Sequence, residues 1–467
     1  MAFNRRSFLH RTVSLAGLSV AGLPLATRSY AADTDGYRAL VCVFLLGGMD
    51  NHDTLIPFDM ASYSDYAAVR GDLLSQYTFI NGGSTRELSR LLPLTTSGSF
   101  GGREFALPEE LAGIKGLYDA GHVAIVGNVG PLIEPVTRDA FLNETARVPR
   151  RLFSHNDQQS TWYASAPEGA QFGWGGRFMD VLLDAGANAL RPEFSALTTG
   201  GNELFITGSA AVPYQVGVRG AAQLQALQAL EADLGSPAGD LRVQLLRDHV
   251  SATGVDLPEL IGQDYAQASA SALATNELYD QALANAEPLT TLFPGGNLGG
   301  QLQAVANTIA ARASLGVNRQ VFFVGLGGFD THSNQVQQLP ALQRELDAGI
   351  VAFFNAMQEL DVADDVTLFT ASDFGRTLAV NGDGTDHGWA SHHLVVGEAV
   401  NGGNIYGDIP PSRLGHALDA GGGRLIPTLS VEQYAARLGG WFGLNGDELA
   451  AALPNLAQQG NTAPGFI

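Results

Sequence analysis

The strongest constraint on the fold is a set of short, continuously apolar runs, each ending in glycine or polar residues. Ala39–Leu46 is one, closed by Gly47-Gly48. Others are His122–Val126, Val321–Leu326, Val366–Thr370 and Leu394–Val396. Runs this short with no alternation of polar residues predict strands buried on both faces. Between them lie helix-like stretches: Arg219–Leu234, Gly262–Ala286, Leu302–Leu315 and Leu339–Leu360. The last carries Leu342, Leu346, Ile350, Phe353, Phe354 and Met357 at helical spacing. Ser430 is a predicted N-cap for a helix over Val431–Phe442. Buried strands alternating with helices predict an α/β fold of three layers, with a mostly parallel central sheet covered on both faces. Segment Thr78–Gly102 reads as a long surface excursion, and Ser236–Asp240 and Pro294–Gly300 as loops.

Residues 1–32 read as an address rather than as structure. A basic start, MAFNRRSFLHR, precedes 15 weakly apolar residues, Thr12–Ala26, and then small residues suited to cleavage after Ala31 or Ala32. Asn4-Arg5-Arg6-Ser7-Phe8-Leu9 resembles the twin-arginine motif. The expected partner during export is the twin-arginine translocase, and the expected destination is the periplasm or the exterior. The apolar stretch is too short for a stable membrane span, so residues 33–467 are expected as one exported domain with insertions. The net charge is −21, and removing Arg5, Arg6, Arg11 and Arg28 takes it to −25. Such a surface repels phosphate backbones and argues against nucleic acid as a partner. Cys42 is the single cysteine, which excludes a disulfide framework and a thiolate zinc site. Lys115 is the single lysine, leaving little scope for Schiff-base chemistry.

In parallel sheets, ligands bind beyond the carboxyl ends of the strands. The apolar runs are followed there by Gly47–Asp53, Gly327–Asn334 and Ala371–Thr377, and Gly384–His393 leads into the last run. Five of the ten histidines fall in these stretches: His52, His332, His387, His392 and His393. Carboxylates and neutral imidazoles on glycine-bearing loops suit a divalent cation, zinc or an oxygen-preferring ion. Asp330 and His332, two apart, point the same way in extended backbone. Asp50 and Asp373 serve equally well as caps of a following helix.

The segments Leu45–Pro57, Gly327–His332, Ser372–Thr377, Gly384–Trp389 with Ser391–His393, and Asn401–Asp408 resemble an exported bacterial family, the 1501 domain-of-unknown-function family. Ser154–Ser165 and Gly173–Asp180 are similar to its middle motif. That family is in turn similar to the alkaline phosphatase and sulfatase superfamily. The resemblance implies an alkaline-phosphatase-like fold and one or two metal ions at the strand ends. It matches Asp50, Asp330, His332, Asp373 and either His387 or His392 to metal ligands. Phe374 stands where phosphatases carry histidine, which weakens the case for a second ion. The sulfatase Cys-x-Pro-x-Arg motif is absent. Ser154, Ser160 and Thr161 are the candidate nucleophiles, His155 a candidate for orienting substrate or adding a ligand, and Arg376 a fork for an anionic oxygen pair. The reading is a metal-dependent hydrolase of phosphate or sulfate esters, on small molecules or polysaccharide. The alternative is a noncatalytic exported binding protein on the same scaffold.

Overall fold

Residue alternation along one strand organises the molecule. The computed structural model describes residues 32–81, 85–200, 204–217, 220–221, 235–250, 260–460 and 463–467. The main sheet is built around β1 (Arg38–Leu46), β2 (Val123–Gly130), β3 (Ala196–Thr198), β4 (Arg319–Gly327), β5 (Val366–Ser372), β6 (Ser391–Val396) and β7 (Asn404–Gly407). Their order is β7-β2-β6-β5-β1-β4-β3, and the edge beyond β3 continues through Tyr214–Gly217 and Gly220–Ala221. β1 pairs in parallel with β5 on one side and β4 on the other, with Leu46 beside Gly327. β6 is antiparallel to both of its neighbours, so the sheet is mixed but mostly parallel.

Side chains of β1 divide between two cores. Val41, Val43 and Leu45 pack with Leu302, Ile309, Ile350 and Phe353. Leu40, Cys42 and Phe44 pack on the other face with Trp162, Phe178, Leu438 and Phe442. This is the period of two of a strand read out as three layers. We label the helices that matter here α1 (Met60–Asn81), α2 (His155–Ala164), α3 (Trp174–Asp184), α4 (Asn297–Ala310), α5 (Gln335–Glu359) and α6 (Val431–Phe442). Helices α4 and α5 cover the first face, and α2, α3 and α6 the second. Ser430 caps α6 as expected, reciprocally with Gln433, a device that contributes about 1 kcal/mol.

All five apolar runs are strands, and three of the four helical stretches are helices. Most of Arg219–Leu234, like residues 1–31 of the expected export signal 1–32, lies outside the described residues; the described Gly220–Ala221 is strand. Two loop expectations need correction. Ser236–Asp240 opens the helix Pro237–Val250, because Ser236 Oγ accepts from Gly239 N and Pro237 suits a first helical position. Within 78–102, the first residues finish α1, and Leu92–Leu94 joins a small sheet with Ile56–Pro57 and Phe105–Leu107.

Candidate metal centre

The site forms where β1, β4 and β5 end and α2 begins. Gly47 and Gly48 make this possible, with φ of +114° and +92°. A Cβ on Gly47 would stand 2.3 Å from Asp330 N, and one on Gly48 2.4 Å from the Phe374 ring. Only glycine permits both the left-handed turn and the close approach. The turn brings the loop after β1 against the loops after β4 and β5.

Asp330 is at the centre. Its Oδ1 lies 3.2 Å from His387 Nε2 and 3.2 Å from His332 Nε2, and its Oδ2 lies 3.4 Å from His155 Nε2. The two nitrogens His332 Nε2 and His387 Nε2 are 2.8 Å apart. Donor atoms of His155, Asp330 and His387 all lie within 4.8 Å of one another. The Asp330 side chain is 44% exposed and His332 42%, against 29% for His155 and 22% for His387, so the cluster opens to solvent.

The far nitrogen of each ring has an acceptor of its own. His155 Nδ1 donates to Asp373 Oδ2 at 2.6 Å, His387 Nδ1 to the Phe153 carbonyl at 2.7 Å, and His332 Nδ1 to Asp386 Oδ1 at 3.2 Å. These oxygens only accept; with its hydrogen on Nδ1 toward them, a neutral ring turns its Nε2 lone pair to Asp330. A cation would satisfy Nε2 lone pairs gathered in this way. The edge of a tetrahedron around zinc with nitrogen ligands is about 3.3 Å, close to the 3.2–3.4 Å separations around Asp330. Acceptors behind ligating imidazoles are the usual companions of a metal site. The residues present therefore fit a divalent cation, and zinc by their donor chemistry.

Supporting residues hold this geometry. Asp373 is fully buried and also accepts from Gln159 Nε2 at 2.8 Å and from Gly47 N at 3.1 Å. Its hydrogen bond outweighs burial and raises the His155 pKa. Burial dominates at His387 and lowers its pKa. At Asp330 burial pushes the carboxyl up, but Arg376 overcomes this and holds it below the ordinary carboxylate range. The Phe374 ring packs against His155 and His387, with centroids 4.8 and 4.5 Å away. Phe153 has a φ of +72°, a strained conformation for an aromatic residue that costs about 1–3 kcal/mol and marks functional positions. Here it presents the carbonyl that His387 requires.

Other expected residues lie elsewhere. Asp50 is buried, accepts from Arg70 Nη1 and Nη2 at 2.7 and 3.0 Å and from Gln335 Nε2 at 2.6 Å, and caps His52 and Asp53. Its oxygens are committed to that network, not to the cluster. His392 is buried and its Nδ1 accepts from Asn128 N at 3.0 Å; burial lowers its pKa to about 3. Arg376 is buried and occupied by Asp330 Oδ1 at 2.7 Å, Gly47 O, Thr385 O and Thr385 Oγ1. It positions Asp330 instead of facing an incoming anion. The Ser154 hydroxyl donates to Asp157 Oδ2 at 3.0 Å, and Ser160 and Thr161 donate to carbonyls of Ala166 and Asp157. Gln159, Asp386 and the Phe153 carbonyl were not singled out from the sequence. Gln159 lies one turn after His155, a spacing that offered a signal; a backbone carbonyl offers none.

No helix among the described residues is long and apolar enough to cross a membrane. No protein of curated function matches the chain. Solved structures with similarity include the C-terminal periplasmic domain of EcEptC from Escherichia coli in complex with Zn, at 9% identity over 79% of this chain and 75% of that one, with a TM-score of 0.33. Ps i-CgsB is 9% identical over 92% and 76%, with a TM-score of 0.35. The PsFucS1 sulfatase from Pseudoalteromonas sp. is 7% identical over 80% and 66%, with a TM-score of 0.29. Likenesses at this level carry no argument about chemistry, which rests on the geometry above. The sequence itself is more decisive, because the model described as "Protein of unknown function (DUF1501)" matches residues 37–420, and the chain belongs to the DUF1501 family.

Proposed function

We propose that this protein is a hydrolase of phosphate or sulfate esters that works through one divalent cation, zinc by preference, held by His155, Asp330 and His387 with His332 beside them. The observation that carries the reading is that three imidazoles, each with Nδ1 on an acceptor, turn Nε2 toward one carboxylate. When bound, such a cation supplies Lewis acidity toward an ester oxygen. The chain's own residues do the rest. Asp373, the Phe153 carbonyl and Asp386 orient the rings, Arg376 keeps Asp330 ionised, and Phe374 shields one side of the imidazoles from water. The exposed side of Asp330 and His332 admits a substrate from solvent, a small ester or one carried on a polysaccharide. Ser154 adjoins His155 in sequence and donates its hydroxyl to Asp157; we take this hydroxyl or water as the attacking group. A second ion is not part of the reading, because Arg70 commits Asp50 and Phe374 offers no ligand atom. Twin-arginine export suits the proposal, since that route would deliver a chain already folded around its cation.

A noncatalytic role for the ion is favoured by one observation, the commitment of Arg376 to Asp330 and backbone, which leaves that guanidinium no fork for an anion. Metal analysis and turnover separate the two. Purified protein is expected to carry about one zinc per chain, and Asp330→Ala or His387→Ala to carry almost none. 4-Nitrophenyl phosphate or sulfate should be hydrolysed, with loss on chelation and recovery on adding zinc. Metal content equal to wild type in both variants overturns the centre. Bound zinc that raises the melting temperature without turnover on either ester overturns catalysis and leaves the structural ion.

A further inference from the structure

We propose that the protein has a second, separate ligand site, a cavity of about 380 Å³ bordered by Leu132, Ile133, Pro149, Arg150, Ser165 and Glu432, that takes a small anion with an apolar body. The volume falls in the range of small-molecule sites. None of these residues belongs to the metal cluster. Helix α2 joins the two places, with His155 at its start and Ser165 just past its end. Ten residues at 1.5 Å rise set them roughly 15 Å apart.

Chemistry at the cavity points to the ligand class. Leu132, Ile133 and Pro149 offer apolar walls and ask for an apolar body. Glu432 is 1% exposed, and its Oε2 has no hydrogen-bond partner among the described residues. Its other oxygen takes a long contact, 3.4 Å, from Asn455 Nδ2, and the Ser165 and Ser430 side chains lie close to the carboxyl. The buried Ser165 hydroxyl makes no hydrogen bond of ordinary geometry and lies beside that carboxyl. This poorly satisfied pair borders the cavity, where a polar group from outside would complete its hydrogen bonding, since buried polar atoms are normally paired. Burial raises the pKa of the Glu432 carboxyl. At the solvent side, Arg150 is exposed and has no ion-pair partner among the described residues, whereas Arg147 beside it is held by Glu134. In a chain of net charge −21, an unengaged guanidinium at the edge of an apolar cavity selects an anionic head group.

The probe is 8-anilinonaphthalene-1-sulfonate, an aromatic body with one anion and one neutral N–H, titrated into the full chain by fluorescence, with and without zinc. One saturable site per chain is expected in both states. Arg150→Glu should weaken it about tenfold or more, and Ala166→Trp, which fills the cavity, should abolish it; both should keep the wild-type metal content. The absence of saturable binding overturns the proposal. So does an unchanged affinity in the two variants, which would put the dye on exposed apolar residues such as Phe79 or Ile261. If Ala166→Trp does not fold, Arg150→Glu decides alone.

Discussion

Two loops in this protein begin with the same pattern and end in opposite environments. Gly47-Gly48-Met49-Asp50 follows β1 and Gly327-Gly328-Phe329-Asp330 follows β4, and the strands are paired neighbours. Asp50 is 1% exposed, held by Arg70 from α1 and Gln335 from α5. Three residues on, Asp53 is closed off in the same way by Arg86, Tyr66 and Tyr77. Asp330 has a single arginine, on one oxygen, and three imidazoles around it. Local sequence puts a carboxylate at a strand end. What that carboxylate can do depends on whether a distant helix brings a buried arginine to neutralise it.

The comparison can be broken first by acid. His52, in the closed loop, is buried neutral, and burial with help from Arg70 lowers its pKa to about 4; burial takes His392 and His393 to about 3. Their ordinary value is near 6.5, so below it the unfolded chain binds protons that the folded chain refuses. Stability from these groups is complete above pH 6.5 and is lost as pH falls toward 4. Well below 6.5 the three together give a slope of about 4 kcal/mol per pH unit. Urea unfolding of chelated protein between pH 7 and 4 checks it, and a flat profile contradicts the burial of these rings.

A smaller effect is expected from Arg70→Ala, which leaves Asp50 buried without its counter-ion. The cost should be about 3–5 kcal/mol of unfolding free energy, read by urea titration. Zinc content of the folded fraction should not change. Loss of zinc in that variant would mean the two loops are one site and not two. The smallest change is Asp373→Asn, which keeps size and burial but removes the anionic acceptor behind His155. Zinc affinity should fall about 10- to 100-fold in a competition titration, with little change in melting temperature. An unaltered affinity would remove His155 from the centre.

Much of this was legible in the sequence, and the boundary has a physical cause. Strands such as Val366–Ser372 announce themselves because burial on both faces demands unbroken apolar residues. Helix α5 announces itself by its stripe. Asp330, His332 and His387 were marked by their place after or between strands. The division between Asp50 and Asp330 was not legible. It depends on Arg70, which lies in the middle of α1, a helix with little segregation of polar and apolar residues, and on a contact 20 residues along the chain. The role of Arg376 was ambiguous for the same reason, since a guanidinium after a strand can turn either to a substrate or to a carboxylate. His155 was marked for its chemistry, but its nearness to Asp330 depends on chain reversals around Phe153 that no periodicity encodes.

Gly47 and Gly48 carry no functional group, yet they restrict descent more severely than the histidines around them. A ligating imidazole has chemical substitutes, and carboxylate or amide variants can be sampled one at a time with partial retention of the pocket. The space beside Asp330 N and the Phe374 ring has no such substitutes, because the first methyl group added there collides with the backbone before Asp330 or with that buried ring. Lineages that repurpose this scaffold would then be expected to swap donor atoms freely while inheriting an unaltered pair of bare Cα positions.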